Sequence, residues 1–252
     1  MREFWFESAG TKLFAVESGD GRPIVLIHGG LANHLACRVF ATPLEATYRL
    51  VTPDLRGSGR SVFRGELSWD LLADDVAALV RSLGVERAVI GGISMGAAVA
   101  TRAALRHPEV VDKLVILSPA YGGAELGLNS HQRWAMRAMD DAGSRAPQEG
   151  VEVLLPLFEA LPEPIRARAS KLIETYDAQS VATTTSFMAS LVQPFERSAD
   201  LNGIAAPTLL LPGMDATHPP EATAVYRANL KNCVVGSSDP ARYADEIAAF
   251  VG

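Results

Sequence analysis

Residues 88–96 read Ala-Val-Ile-Gly-Gly-Ile-Ser-Met-Gly, and this stretch decides the fold. Residues 88–92 are a continuous apolar run ending in two glycines, the pattern of a strand buried on both faces. Residues 97–106 are rich in small helix formers and stop before Pro108. Between them lies Gly92-x-Ser94-x-Gly96, which puts a serine on a tight turn from strand to helix. The glycines let strand and helix approach closely. The hydroxyl stands at a helix N-terminus, where the helix dipole favours negative charge. Alone, G-x-S-x-G is a weak pattern; this strand–turn–helix context makes Ser94 a candidate nucleophile.

Outward from the turn, short apolar runs alternate with helical patterns. Residues 4–6 and 12–17 read as two strands joined at Ala9-Gly10. Residues 23–28, 48–53, 113–117 and 207–211 are further buried strands, and 232–235 a short one. Residues 69–83 carry apolar side chains at Leu72, Val76, Leu79, Val80 and Leu83, a helical stripe with Ser68 as N-cap and Gly84 as stop. Residues 221–230 and 241–251 are the last two helical patterns. Alternation of this kind predicts an α/β fold: a mostly parallel eight-stranded sheet with helices on both faces. From Tyr121 to Arg197 no buried strand is legible. The segment reads as helices broken at Gly143, Pro147, Pro156, Pro162, Pro164 and Pro194. An insert of about 75 residues commonly covers an active site. The expected organisation is a core of residues 1–120 and 198–252, with a helical cap or lid at 121–197.

Composition excludes several classes. The 252 residues are 48% hydrophobic and 21% charged, an ordinary globular balance. A net charge of −6 argues against a nucleic-acid or anionic-membrane partner. Cys37 and Cys233 make no disulfide framework and no metal motif. No run of about 18 apolar residues is present, and the charged start Met-Arg-Glu-Phe-Trp-Phe-Glu is no signal peptide. A cytoplasmic location without a membrane partner is the expectation, with a homodimer left open.

Two further turns bear on chemistry. His28-Gly29-Gly30 closes the strand at 23–28 and points backbone N–H groups at the top of the sheet. An oxyanion needs two such donors about 3 Å away, and the candidates are the N–H groups of Gly30 and Met95. The alternative is a glycine turn that only closes the strand. His28 reads as a brace for this loop. Residues 54–61, Asp-Leu-Arg-Gly-Ser-Gly-Arg-Ser, follow the strand at 48–53.

Taken together, HGG at 28–30, DLRGSGRS at 54–61, GGISMG at 91–96, the helical insertion and LLLPGMDATHPPE at 209–221 resemble the α/β-hydrolase superfamily over nearly the whole chain. The resemblance is closest to small bacterial esterases and lactonases, a branch that includes enol-lactonases, C–C hydrolases and cofactor-free haloperoxidases. It implies that Asp54 and Arg56 support their loop. It also implies that Asp215, after the strand at 207–211, is the acid that orients an imidazole; a helix-capping aspartate is the other reading.

The chain departs from that family at the base. A serine hydroxyl needs a general base. The family's histidine lies before the last helix, where this chain has Gly236-Ser237-Ser238-Asp239-Pro240. Of five histidines, His218 is the best replacement: it shares a loop with Asp215 at the spacing Asp-x-x-His. The bland reading has it facing solvent ahead of Pro219-Pro220. His34 and His131 are weaker candidates to face the pocket. With Tyr121 and Trp134 they make up the expected substrate-binding set.

The reading is therefore serine-dependent hydrolysis of a small, largely apolar carboxylic ester or lactone. Ser94, Asp215 and His218 would be catalytic, Gly30 and Met95 would form the oxyanion hole, and neither metal nor organic cofactor is implied. The partner is a small-molecule acyl substrate. The alternative is a pseudo-hydrolase or ligand-binding protein, or a non-hydrolytic lyase or cyclase, that keeps the pocket without the base.

Overall fold

The computed structural model describes residues 1–159 and 163–252. Its centre is an eight-stranded sheet in the order β1-β2-β4-β3-β5-β6-β7-β8. The strands are β1 (Arg2–Ser8), β2 (Thr11–Ser18), β3 (Pro23–Ile27), β4 (Arg49–Pro53), β5 (Ala88–Ile93), β6 (Val111–Leu117), β7 (Thr208–Leu211) and β8 (Cys233–Val235). β1 and β2 form an antiparallel hairpin; from β4 to β8 every pairing is parallel. Ala9 and Gly10 both have positive φ, the geometry a two-residue hairpin turn requires.

The parallel strands are apolar throughout because both faces are covered. Alternate residues go to opposite faces. Ile24, Leu26, Val89, Val115 and Leu209 pack with α1 (Leu35–Ala41) and α9 (Tyr243–Val251). Val25, Ile27, Ile90, Leu114, Ile116 and Leu210 pack with α2 (Trp69–Ser82), α3 (Met95–Arg106) and, through Tyr226, α8 (Pro220–Asn229). Ser68 caps α2 as the sequence predicts, accepting from Leu71 N at 3.1 Å, and Gly84 leaves the helix at φ +74°. The final helix begins at Tyr243 rather than 241, because Pro240 to Arg242 form a 3-10 turn.

Between β6 and β7 lie α4 (Ser130–Gly143), α5 (Ala146–Glu149), α6 (Glu163–Ile173) and α7 (Ala178–Ala189), with a 3-10 stretch at Val151–Phe158. The expected breaks are corrected in part. Pro147 and Pro164 sit in first turns, where a missing N–H costs nothing. Gly143 ends α4, but it is also where α4 meets α7: a Cβ there would collide with the Thr185 side chain. The expected break at Pro162 lies outside the described residues.

One buried ion pair fixes the loop above β4. Arg56 is 2% exposed and donates to both Asp75 carboxylate oxygens at 2.9 and 2.6 Å, to Thr11 Oγ1 at 2.6 Å and to Ser8 O at 2.9 Å. Burial pushes the Asp75 carboxyl up, against the pull of Arg56. The pair joins the 54–61 turn, the first hairpin and α2, as the loop-support expectation requires. Asp75→Asn leaves the guanidinium buried without its counter-charge, so urea unfolding should show a loss of about 3 kcal/mol or more. A loss below about 1 kcal/mol would contradict this account of the loop.

Candidate active site

Ser94 sits at φ 57°, ψ −116°, a left-handed conformation that a side chain rarely adopts. Such a residue carries about 1–3 kcal/mol of strain. The glycines on either side explain why the chain accepts it. A Cβ on Gly92 would collide with Gly96 O and one on Gly96 with Ile27 O, so the strand and helix meet backbone to backbone. Ser94 N donates to Leu117 O at 3.0 Å, which fastens the turn to the end of β6.

The imidazole of His218 completes the contact. His218 Nε2 lies 2.9 Å from Ser94 Oγ. Its Nδ1 lies 3.0 and 2.9 Å from the two Asp215 oxygens. Asp215 also accepts from the backbone N–H groups of Thr217 and His218, each at 2.8 Å. Partial burial would raise the Asp215 carboxyl, but hydrogen bonding and charge from His218, with the two backbone donors, hold it below the usual carboxylate range. Hydrogen bonding with Asp215 through Nδ1 leaves Nε2 as an acceptor for the serine hydroxyl proton. The loop closes tightly on itself: a Cβ on Gly213 would collide with His218 Cβ.

The other wall is the turn after β3. A Cβ on Gly29 would lie 3.4 Å from Ser94 Cβ and 3.9 Å from Ser94 Oγ. Among the described residues, the Gly30 and Met95 N–H groups donate to no backbone acceptor in turns, loops or caps. Met95 is the first residue of α3, whose leading N–H groups have no partner within the helix. His28 Nε2 accepts from Leu55 N at 3.0 Å and Nδ1 donates to Gly29 O at 2.6 Å. Burial pushes this imidazole's pKa down and keeps it neutral, which suits the brace inferred from sequence.

The expected substrate-binding set divides. Tyr121 is 2% exposed, burial pushes its hydroxyl's pKa up, and the hydroxyl finds no partner among the described residues. Its ring meets Trp69 edge-on, and Trp69 meets Phe187. These three share one apolar cluster with Met95 and Met188. His34, by contrast, is committed to Asp54: its Nδ1 and backbone N lie 2.8 and 2.7 Å from one carboxylate oxygen. Trp134 and His131 are corrected. Both are exposed, Trp134 by 66%, and their rings lie tilted against each other with centroids 5.8 Å apart. The inward face of α4 carries Gln132 and Met136 instead, roughly 150° around the helix at 3.6 residues per turn.

Two residues at the site, Asn129 and Gln132, escaped the sequence reading, and a third, Met188, reads there only as one of several apolar side chains of the insertion. Met188 from α7 covers the turn after β3: its Cε and Sδ lie 2.7 and 2.8 Å from where a Cβ on Gly30 would stand. Asn129 and Gln132 open α4 with a reciprocal capping box, and both reach the loop before His218. The spacing Asn129-x-x-Gln132 is a legible helix start, but nothing in it signals the second set of bonds.

Comparison with known proteins agrees with this architecture. A family model described as the alpha/beta hydrolase fold matches residues 22–150. The AB hydrolase superfamily protein YisY of Bacillus subtilis is 40% identical over 111 residues, covering 43% of this chain and 41% of that protein. A pimeloyl-[acyl-carrier protein] methyl ester esterase of Aliivibrio fischeri is 34% identical over 119 residues, covering 46% and 44%. The matched stretch thus spans less than half the length of these curated relatives. A hydrolase from Pseudomonas aeruginosa superposes with a TM-score of 0.80 at 20% identity, covering 99% of this chain and 98% of the other. The enol-lactonase from Burkholderia xenovorans does so with a TM-score of 0.77 at 18% identity, covering 98% and 99%. At such identities the superpositions speak to fold alone. With the family model covering half of the chain and the sheet order above, the protein belongs to the α/β-hydrolase fold family.

Proposed function

We propose that the protein is a serine hydrolase acting on a small, largely apolar carboxylic ester or lactone. The observation that carries this is the 2.9 Å contact between His218 Nε2 and Ser94 Oγ, backed by Asp215 on the far side of the ring. In this reading that imidazole serves as the base whose absence from residues 236–240 left a pseudo-hydrolase as the alternative.

The chemistry follows from the geometry. Ser94 Oγ attacks the carbonyl carbon as its proton passes to His218 Nε2. The Gly30 and Met95 N–H groups take the oxyanion that forms. The imidazolium, steadied by Asp215, returns the proton to the leaving alkoxide as the carbon–oxygen bond breaks. Water then gives a proton to Nε2 and attacks the acyl group, which releases the acid and restores Ser94. The ester and lactone classes are those named for the Aliivibrio esterase and the Burkholderia enol-lactonase. The apolar cluster that includes Tyr121, Trp69, Met95 and Met188, with Phe187 packed against it, and that brings Met188 over Gly30, favours an acyl group with little charge.

The helical insertion acts in this reading as a cap. It rests on the core through Tyr176 Oη to Leu31 O at 2.6 Å, Thr184 Oγ1 to Gly57 O at 2.9 Å and Trp69 Nε1 to Val192 O at 2.9 Å. Met188 is the part of it that lies on the proposed oxyanion loop.

Two experiments test this. Short p-nitrophenyl esters should be hydrolysed, with a fluorophosphonate adduct mapping to Ser94. Ser94→Ala should abolish both, and His218→Ala should lower turnover about 10³-fold or more. Asp215→Ala should cost less, about 10²-fold, because its side chain is 63% exposed and water can take its place. No adduct on the parent protein, or full turnover by His218→Ala, would sink the proposal. Second, Met188→Ala should raise kcat/KM for a hexanoyl ester relative to the acetyl ester by roughly tenfold. An unchanged ratio would remove Met188 from the acyl site.

A further inference from the structure

The Gln132 side chain lies between three segments that have no reason of their own to meet. It is 1% exposed. Its Nε2 donates to Ala120 O at 2.6 Å and to Thr217 O at 2.9 Å. Its Oε1 accepts from Asn129 N at 2.9 Å. One amide therefore spends both donors and its acceptor on the chain leaving β6, the loop after β7 and its own helix start. Thr217 immediately precedes His218. Asn129 adds a second tie, from Nδ2 to Ala216 O at 3.0 Å.

The loop needs such an outside hold. Among the described residues Asp215 bonds only to Thr217 and His218, so those contacts shape the loop without locating it against Ser94. We infer that Gln132 is a positioning residue: it holds the backbone beside His218 so that the imidazole reaches Ser94, and it makes that reach depend on α4. This rests on His218 being the base. An amide is required because both targets are carbonyls. A carboxylate at 132 would still accept from Asn129 N but could donate to neither.

The test uses the full chain and the second-order rate of Ser94 labelling by a fluorophosphonate. Gln132→Glu keeps both halves of the helix cap and removes the clamp; Gln132→Met removes the clamp and the bond from Asn129 N, leaving Asn129 Oδ1 on the backbone N–H at 132. Each should label about 10²-fold more slowly than the parent, the scale of a misplacement near 1 Å. Exposed Asn129→Asp, which keeps its cap and loses the donor to Ala216, should slow labelling a few-fold with the fold intact. The decisive comparison is with His218→Ala. If Gln132 acts through His218, adding Gln132→Glu to that variant changes its slow rate no further. Equal slowing in both backgrounds would mark a general structural role and overturn the inference. So would parental labelling by Gln132→Glu while His218→Ala is slow, an outcome that leaves the base assignment standing. Parental labelling by His218→Ala would instead overturn base and clamp together.

Discussion

Everything at the top of this sheet depends on the contact of backbone with backbone where α3 meets β5 and β3. Gly92 and Gly96 allow it, and any side chain at either position would collide with a neighbouring carbonyl. That approach forces Ser94 into a left-handed conformation. The strain, about 1–3 kcal/mol, is held by the buried strands on either side and by the bond from Ser94 N to Leu117 O. The result is a hydroxyl lifted clear of the sheet at a helix N-terminus. A Cβ added at Gly29 would come within van der Waals reach of it, and His218 on the loop after β7 lies within hydrogen-bond distance.

With the serine placed, the question is what can reach it. Asp215 and His218 stand three residues apart, so the proposed acid and base come from one loop and orient each other locally. Such an arrangement differs from one in which distant segments meet. Its internal geometry is cheap to form, but its position must be imposed from outside. The exposed Asp215 fits this division: solvent weakens its charge, so its main contribution is to hold the ring's orientation. In this reading the outside hold falls to α4, which joins the cap to the catalytic loop.

The fold was legible because its strands are uninterrupted apolar runs and its turns carry glycine where no side chain fits. Residues 88–96 alone predict strand, turn and helix, and the Ser68 cap and Gly84 stop lie where the sequence puts them. The serine's surroundings were legible for the same steric reason. The pocket walls were not. Trp134 and His131 have the chemistry of pocket residues but lie on the outer side of α4, and no local pattern separates them from Gln132. Gln132 itself advertises only a helix start, because its partners are backbone carbonyls at 120 and 217. Met188 reads as an ordinary core methionine; that it lies over Gly30 depends on how α7 packs.

In the proposed mechanism His218 presents an unprotonated Nε2 to Ser94 while Asp215 holds its Nδ1–H. Nitrogen-15 spectra of the imidazoles at neutral or mildly alkaline pH report this tautomer directly. For that mechanism they should show a single ordered His218 ring protonated at Nδ1, with a slowly exchanging downfield proton that disappears in Asp215→Asn. A ring protonated at Nε2, or one averaging freely between tautomers as in water, would contradict it.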